Sequence, residues 1–487
     1  MDKDLKKLSP SALWSRFSDI CQIPHPSKHE EQIRKYLVDF AKSQKLECIV
    51  DEGNNVLIRK PATKGMEGKK TLVLQAHVDM VPQKNSDKDF DFTKDAIEAY
   101  IDGEWVTANG TTLGADNGIG VAAIMAILEA KDLKHGSIEA LFTATEETGM
   151  DGAFGLKAGE LKGEVLLNLD SEEEGELYVG CAGGLDLSAT MKYETTALQK
   201  DSFVGYRIEV KGLKGGHSGI EIILQRANAN QLFARFMKAV QEKMGVMLCD
   251  IDGGGLRNAI PREAFATVAV LAKNEKAFLN AVKKYEKLFI EEYKGVEDSI
   301  SFKAVKTDTP KKAISFYDQS NLIDAVYANH NGVARMSTSM KGLVQTSTNM
   351  ARVVSEKGRF RVMCLLRSAA NSEKEDLAAR MSTIFEMAGF DVKLSGAYHG
   401  WNPNMASPIL KAMTKGYKEL YNKTPDIVAI HAGLECGIIG GKYPNMDMIA
   451  FGPTIKYPHS PDEKGNIASV EKFWKFLCYT LETAPEK

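Results

Sequence analysis

The sequence predicts an α/β protein, a sheet with helices on both faces, interrupted by an inserted segment of different texture. Three observations carry this. Residues 46 to 185 alternate between short apolar runs and helical stretches, residues 186 to 397 change texture, and residues 406 to 480 return to helix, strand and loop. Strands that alternate with helices argue for a sheet covered by helices. We therefore expect one domain assembled from 1–185 and 398–487, with 186–397 inserted as a second. A length of 487 residues exceeds one ordinary core and fits two or three domains.

Taken in order, Ser9-Pro10-Ser11-Ala12 sets a proline near the first turn of a helix, and Lys28-His29-Glu30-Glu31 opens a second. Between them Ile23-Pro24-His25-Pro26-Ser27 reads as a prolyl turn, with His25 and His29 as surface histidines. Strands are expected over 46–50, 55–59, 71–76, 137–143 and 165–169. The stretch 119–129 is apolar nearly all round, so it is a buried helix.

In the inserted segment, strands at 206–210 and 264–271 accompany helices at 228–241 and 276–293. A second unit of the same kind starts near Ser337 and runs through a strand at 359–366 and a helix at 374–388. Residues 255–261 are loosely echoed by 342–349, which makes an internal duplication one reading of the insert. Short buried strands at 427–430 and 448–451 then complete the first sheet.

Composition narrows the function. With 44% apolar and 26% charged residues and a net charge of −3, the chain has no field for nucleic acid or an anionic membrane. The stretch Met1 to Lys7 is charged, with no apolar signal core, and no run of about 18 apolar residues occurs. A cytoplasmic protein is expected. Seven cysteines lack CxxC or CxC spacing and mostly sit inside apolar runs, as Cys48, Cys364 and Cys478 do. Buried thiols are expected, not disulfides or a thiolate metal site.

Ligands of open α/β sheets bind beyond the carboxyl ends of the strands. The run Gln75-Ala76-His77-Val78-Asp79-Met80-Val81-Pro82 closes one strand, and a period of two sends His77 and Asp79 to the same side. Alone, the pair suits a core histidine beside an acid as well as it suits a ligand. The glycine-rich loop 109–120 delivers Asp116 just ahead of the buried helix, either as helix cap or as ligand. No Gly-Lys-Ser/Thr follows, so it is not a phosphate loop.

The strand ending at Thr145 leads into Glu146-Glu147, two adjacent acids that repel unless a cation is near. Asp170 follows a buried Leu-Leu-Asn-Leu run, and the acids after it, 172 to 174, read as a solvated loop. His459 sits in a proline-stiffened loop, Tyr457-Pro458-His459-Ser460-Pro461-Asp462-Glu463. Together these ends gather too many carboxylates for an empty pocket. Mixed imidazole and carboxylate donors suit two divalent cations, Zn2+ first, with Co2+ or Mn2+ as alternatives. A pair about 3.5 to 4 Å apart sharing one carboxylate and a water would make a hydrolytic centre.

The stretches His77-Val78-Asp79-Met80-Val81-Pro82, Gly114-Ala115-Asp116-Asn117-Gly118, Thr145-Glu146-Glu147-Thr148-Gly149, Asn168-Leu169-Asp170-Ser171-Glu172, Gly215-Gly216-His217-Ser218-Gly219 and Pro458 to Glu463 run in order along nearly the whole chain. In these the sequence resembles the M20 metallopeptidases, and among them the dipeptidases that cleave Xaa-His and other unblocked dipeptides. The resemblance implies a zinc-peptidase-like catalytic domain with a mixed sheet between helices and an inserted α+β lid domain.

It implies that His77, Asp116 and Asp170 hold one metal, and that Asp116, Glu147 and His459 hold the other. Asp79 would orient His77. Glu146 would be general base toward a metal-bridging water and then acid to the leaving amine. A cis peptide at Asp116-Asn117 is also implied. In the lid, His217 would stabilise the oxyanion, Asn258 and Arg367 would take the substrate carboxylate, and Glu435 its free amine. His431 competes with His459 as a ligand, and the motif around His459 favours the latter.

A lid of about 210 residues is roughly twice the size usual in members that dimerise through a single lid unit. The expected assembly is therefore a homodimer or a monomer whose doubled lid replaces the partner. Aminoacylases, tripeptidases and desuccinylases are same-family alternatives, and a non-catalytic peptide- or metal-binding module is one of another class.

Overall fold

The computed structural model describes residues 4–199 and 201–487, so the first three residues of the charged N-terminal stretch lie outside the described residues. The chain divides into two compact units. One holds the described residues up to Cys181 together with Trp401–Ala429 and Leu434–Lys487. The other holds Ala182–Gly400 and Ile430–Gly433. Residues 430–433, expected in the first domain, group with the second unit. There the N–H of Ala182 donates to the carbonyls of Ile430 and Ala432, and His431 meets Ser347.

The first unit is built on an eight-stranded sheet, in the order Glu47–Val50, Val56–Lys60, Ile138–Thr143, Leu72–His77, Val165–Asn168, Asp447–Ala450, Glu176–Cys181 and Asp426–Ile430. The sheet is mixed, as expected. Ile138–Thr143, Leu72–His77, Val165–Asn168 and Asp447–Ala450 run parallel, while pairs toward the edges are antiparallel. These central strands are almost wholly buried and read as continuous apolar runs, as parallel strands covered on both faces do. Register sets His77 opposite Thr143 and Gln75 opposite Asn168. The loops that carry Asp79, Glu146 and Asp170 therefore leave one edge of the sheet at one level.

The helix Ala115–Glu129 packs against Leu72–His77 and against the helix Ser11–Ile20. Its Ala, Ile, Val and Met side chains are buried on every side. A small four-stranded sheet was not expected. It orders Ile455–Lys456, Lys464–Asn466, Trp105–Ala108 and Ala99–Asp102, and the loop between its first two strands carries His459. Those strands have two to four residues each, too short for an alternation to show.

The second unit is α+β, with one long antiparallel sheet in the order Ser301–Thr307, Phe203–Lys211, Ala264–Leu271, Val246–Gly254, Val344–Glu356, Arg359–Ser368, Gly183–Lys192 and Asp391–Ser395. Its two halves repeat one topology. The first half runs strand 203–211, helix 229–244, strands 246–254 and 264–271, helix 275–292, strand 301–307. The second runs strand 183–192, helix 316–328, strands 344–356 and 359–368, helix 371–387, strand 391–395. They join through antiparallel pairing of Asp252–Gly254 with Arg352–Val354.

The repeat is nested. Its second half begins at Gly183, before the first half, and not near Ser337. The echo between 255–261 and 342–349 is not topological either, since the former connects two strands and the latter enters one. Asn349 instead touches the other loop, donating to the carbonyls of Arg257 at 3.0 Å and Ala259 at 2.8 Å. Phe236, Phe278, Phe289 and Phe302 form edge-to-face contacts in this unit's core.

Among the described residues no cysteine forms a disulfide, and Cys21, Cys181, Cys364 and Cys436 are buried. Among the described residues no helix is long and apolar enough to cross a membrane.

Candidate metal centre and active site

Asp116 stands between two histidines. Its Oδ1 lies 3.1 Å from His77 Nε2 and its Oδ2 lies 3.3 Å from His459 Nε2. Asp170 Oδ1 is 3.2 Å from the same nitrogen of His77, and Glu147 Oε2 is 3.0 Å from that of His459. Two trios result, His77 with Asp116 and Asp170, and His459 with Asp116 and Glu147. The donor atoms of each lie within 4.8 Å of one another, as do those of a third group, His77 with Glu146 and Glu147. Glu147 Oε1 is buried with no hydrogen-bond partner among the described residues, which leaves a carboxylate lone pair for a cation.

The electrostatics fit a cation-binding site. Contact with Asp116 and Glu147 raises His459 to about 11. Burial opposes charge on His77, but Asp170 and Asp116 outweigh it and hold that imidazole well above its ordinary value. Burial lifts Asp170 to about 6 despite His77. The carboxylates thus draw positive charge onto both rings, and divalent cations would supply that charge while leaving the rings neutral as ligands.

Local backbone sets these groups. Asp116 and Asn117 depart from helical angles and share a cis peptide bond, as the resemblance implies. A Cβ on Gly120 would fall 1.9 Å from Asn117 Oδ1, so only glycine lets the Asn117 side chain fold back, where its Nδ2 donates to Asp170. Asp116 does not cap its helix. The amides of Leu113, Gly114 and Asp116 are taken instead by Glu463, 2.8 to 3.1 Å away. Thr145 and His459, at φ 55° and 60°, hold left-handed conformations that non-glycine residues rarely adopt.

Asp79 is buried behind His77. The ring Nδ1 is 3.0 Å from the Asp79 main-chain oxygen and 3.4 Å from its carboxylate. That carboxylate accepts from the N–H of Glu146 at 2.9 Å and of Glu147 at 3.2 Å, and from Ser27 Oγ at 2.7 Å. Glu146, next to both trios, has its pKa raised well above the ordinary value, first by burial and then by Asp170, Glu435 and Glu147, against the pull of His77.

The prolyl turn lies closer to this centre than its sequence suggests. His25 is 4% exposed and not on the surface. Its carbonyl accepts from Met80 N–H, and Ser27 N–H donates to Met80 O, which seals the turn against the strand end. His29 is exposed. Glu30, also buried, accepts from Thr145 Oγ1 at 2.8 Å. The acids after Asp170 are not simply solvated: Glu172 is pushed up to about 8 by burial and then by Asp116 and Asp170, Glu173 pairs with Lys456, and Glu174 binds Tyr417 and Lys472.

Glu435 belongs to the first unit and is fully buried. One of its oxygens accepts from Gln75 Nε2 at 2.6 Å and Thr143 Oγ1 at 2.7 Å, while the other has no partner among the described residues. Burial raises it to about 8.

The other candidates lie in the second unit. His217 Nδ1 accepts from the N–H of Gly219 at 3.2 Å and of Ile220 at 3.1 Å, so its Nε2 carries the hydrogen. Burial and then Arg367 lower its pKa and keep the ring neutral. Asn258 is exposed, and its carbonyl accepts from Ser218 N–H at 2.8 Å. Arg367 is 6% exposed, with Nη1 3.3 Å from the Tyr398 hydroxyl and Nε without a hydrogen-bond partner among the described residues. His431 is buried, 2.7 Å from Ser347 Oγ, and lowered to about 3 by burial and then by Arg367. It is not among the residues grouped with His459.

The description "Peptidase family M20/M25/M40" matches residues 73–483. The chain is 46% identical over 484 residues to the cytosol non-specific dipeptidase of Escherichia coli strain K12, covering 99% of this chain and 100% of that one. The crystal structure of aminoacylhistidine dipeptidase from Vibrio alginolyticus superposes with a TM-score of 0.94 at 48% identity, covering 99% of both chains. The aminopeptidase PepT of Bacillus cereus shares the fold at 16% identity, with a TM-score of 0.58 and 98% and 99% of the two chains covered. With a family match over more than four-fifths of its length and a relative this similar from end to end, the chain belongs to peptidase family M20/M25/M40.

Proposed function

We propose that the protein is a cytoplasmic dipeptidase that uses two divalent metal ions to hydrolyse the peptide bond of unblocked dipeptides. The observation that carries this is Asp116, whose two oxygens face two separate histidine and carboxylate pairs with Glu146 alongside. The names of the two full-length relatives, a cytosol non-specific dipeptidase and an aminoacylhistidine dipeptidase, support the substrate class.

In this reading His77, Asp116 and Asp170 hold one ion, and Asp116, Glu147 and His459 the other. Zn2+ suits the donors best, with Co2+ or Mn2+ as alternatives. When bound, such ions polarise the scissile carbonyl and acidify water. Glu146 takes one proton from the attacking water as its oxygen bonds to the carbonyl carbon. The C–N bond then breaks, and Glu146 returns that proton to the departing nitrogen, leaving two free amino acids, the second with its α-amino group restored. Its raised proton affinity suits both transfers. Asp79 holds the Glu146 and Glu147 backbone in place.

His217, as the neutral Nε2–H tautomer, is the candidate donor to the oxyanion. Arg367 and Asn258 are candidates for the substrate carboxylate. Glu435 is the weakest of the assigned residues, because the oxygen bonded to Gln75 and Thr143 is already in use.

A turnover panel of dipeptides, tripeptides and N-acyl amino acids, run with zinc, manganese and cobalt, tests the reading. Unblocked dipeptides should be cleaved far faster than the other classes, and only with metal present. Preferential cleavage of N-acyl amino acids or tripeptides would move the protein to a neighbouring activity of the family.

A further inference from the structure

Glu463 is four residues beyond His459 and 2% exposed. Its Oε2 accepts from the main-chain N–H of Leu113 at 2.8 Å and Gly114 at 3.0 Å, and its Oε1 from that of Asp116 at 3.1 Å. Its own carbonyl accepts from Thr107 Oγ1 at 2.8 Å, and its N–H donates to Ser460 O at 3.0 Å. One buried carboxylate therefore fastens the turn before the helix Ala115–Glu129 to the loop 457–463. Three charge-assisted bonds at a helix start satisfy donors that would otherwise be orphaned.

The fastened loops carry Asp116 and His459, two of the three donors of one trio. They meet from positions far apart in the chain, and the His459 side chain is 49% exposed with φ 60°, so its own packing does little to fix it. Metal–donor distances in well-formed sites fall within about 0.2 Å of set values. Something must hold these two donors to a fixed separation, and Glu463 is the residue bonded to the Asp116 main chain and carried on the His459 loop.

We propose that Glu463 is a positioning residue that sets the separation of Asp116 from His459, and through it the affinity of the Asp116, Glu147 and His459 trio for its metal ion. It touches neither the ion nor the substrate. The proposal rests on the two-metal reading above and adds to it a residue that selects one of the two sites.

The test is Glu463→Gln, which keeps the volume but replaces one acceptor oxygen with a donor that faces an N–H. Metal-free protein is titrated with MnCl2 by calorimetry, and spin coupling between paired ions is followed by electron paramagnetic resonance. Wild type should take up two ions and show coupling. The variant should take up one ion with unchanged affinity and bind the second about 10- to 100-fold more weakly, the usual cost of losing support behind a ligand. Its turnover should recover at high MnCl2.

Thr107→Val, which removes only the bond to the Glu463 carbonyl, should bind both ions as wild type does. Two ions bound normally by Glu463→Gln, or both weakened alike, would overturn the proposal. A wild type that binds fewer than two ions would overturn the two-metal reading, and the proposal with it.

Discussion

The carboxylate of Asp79 grips the backbone of Glu146, accepting its N–H at 2.9 Å and that of Glu147 at 3.2 Å. It thus supports the residue assigned to proton transfer as well as the histidine beside it. Asp79→Asn would turn a donor toward those amides and push the Glu146 backbone away by about 1 Å, a misplacement that costs about 100-fold in rate. We expect kcat to fall on that scale with KM little changed, and Ser27→Ala, which removes the 2.7 Å bond to Asp79, to have a smaller effect in the same direction. Steady-state kinetics on both variants checks this; a normal kcat in Asp79→Asn would remove the positioning role.

Glu146→Ala should retain two metal ions and lose about 100- to 10,000-fold in turnover, the span of general acid–base contributions. His77→Ala should lose metal, since it removes a donor held 3.1 Å from Asp116 and 3.2 Å from Asp170. Elemental analysis of the purified variants beside their turnover separates the two roles. Near-normal turnover in Glu146→Ala would assign proton transfer elsewhere.

His217 presents Nε2–H because Nδ1 is occupied by two main-chain N–H groups. A donor aimed at charge that develops only in the transition state acts on kcat. His217→Ala should lower kcat about 100- to 1,000-fold, on the scale of losing one oxyanion donor, and raise KM much less. An effect confined to KM would make His217 a ground-state contact instead.

Glu435 gives a pH test on the metal-free protein. Burial holds its folded pKa near 8, against 4.5 for an ordinary glutamate. Between those values the folded state carries a proton that the unfolded state has released. The associated stability is fully present below about pH 4.5 and is lost as pH rises through about 8. Glu435→Gln keeps an acceptor for Gln75 and Thr143 but cannot ionise. Relative to wild type, the variant should gain stability between pH 5 and pH 8.5 in urea unfolding. Parallel pH profiles for the two proteins would show that Glu435 does not titrate in that window.

Much of the site was legible because its residues stand at the ends of apolar runs. His77, Glu146, Glu147 and Asp170 follow the parallel strands whose burial was readable, and the structure brings them to one edge. His25 was misread. A turn flanked by prolines looks like surface, but pairing of Ser27 and His25 with Met80 turns the ring inward. The acids at 172–174 looked solvated because their partners, among them Lys456, Tyr417 and Lys472, come from the far end of the chain. The nested repeat was half seen. Its strands and helices were readable one by one, but the first strand of its second half precedes the first half in the chain.

By itself the sequence determined the α/β class, the buried helix after Asp116 and the residue types at each strand end. Those depend on periodicity and on where apolar runs stop, which are local properties of the chain. Only the tertiary structure decided that Asp116 faces two histidines, that Glu435 is enclosed, and that Glu463, not Asp116, caps the helix start. These depend on strand order and on loops from opposite ends of the chain meeting within hydrogen-bond distance, and no local pattern encodes either.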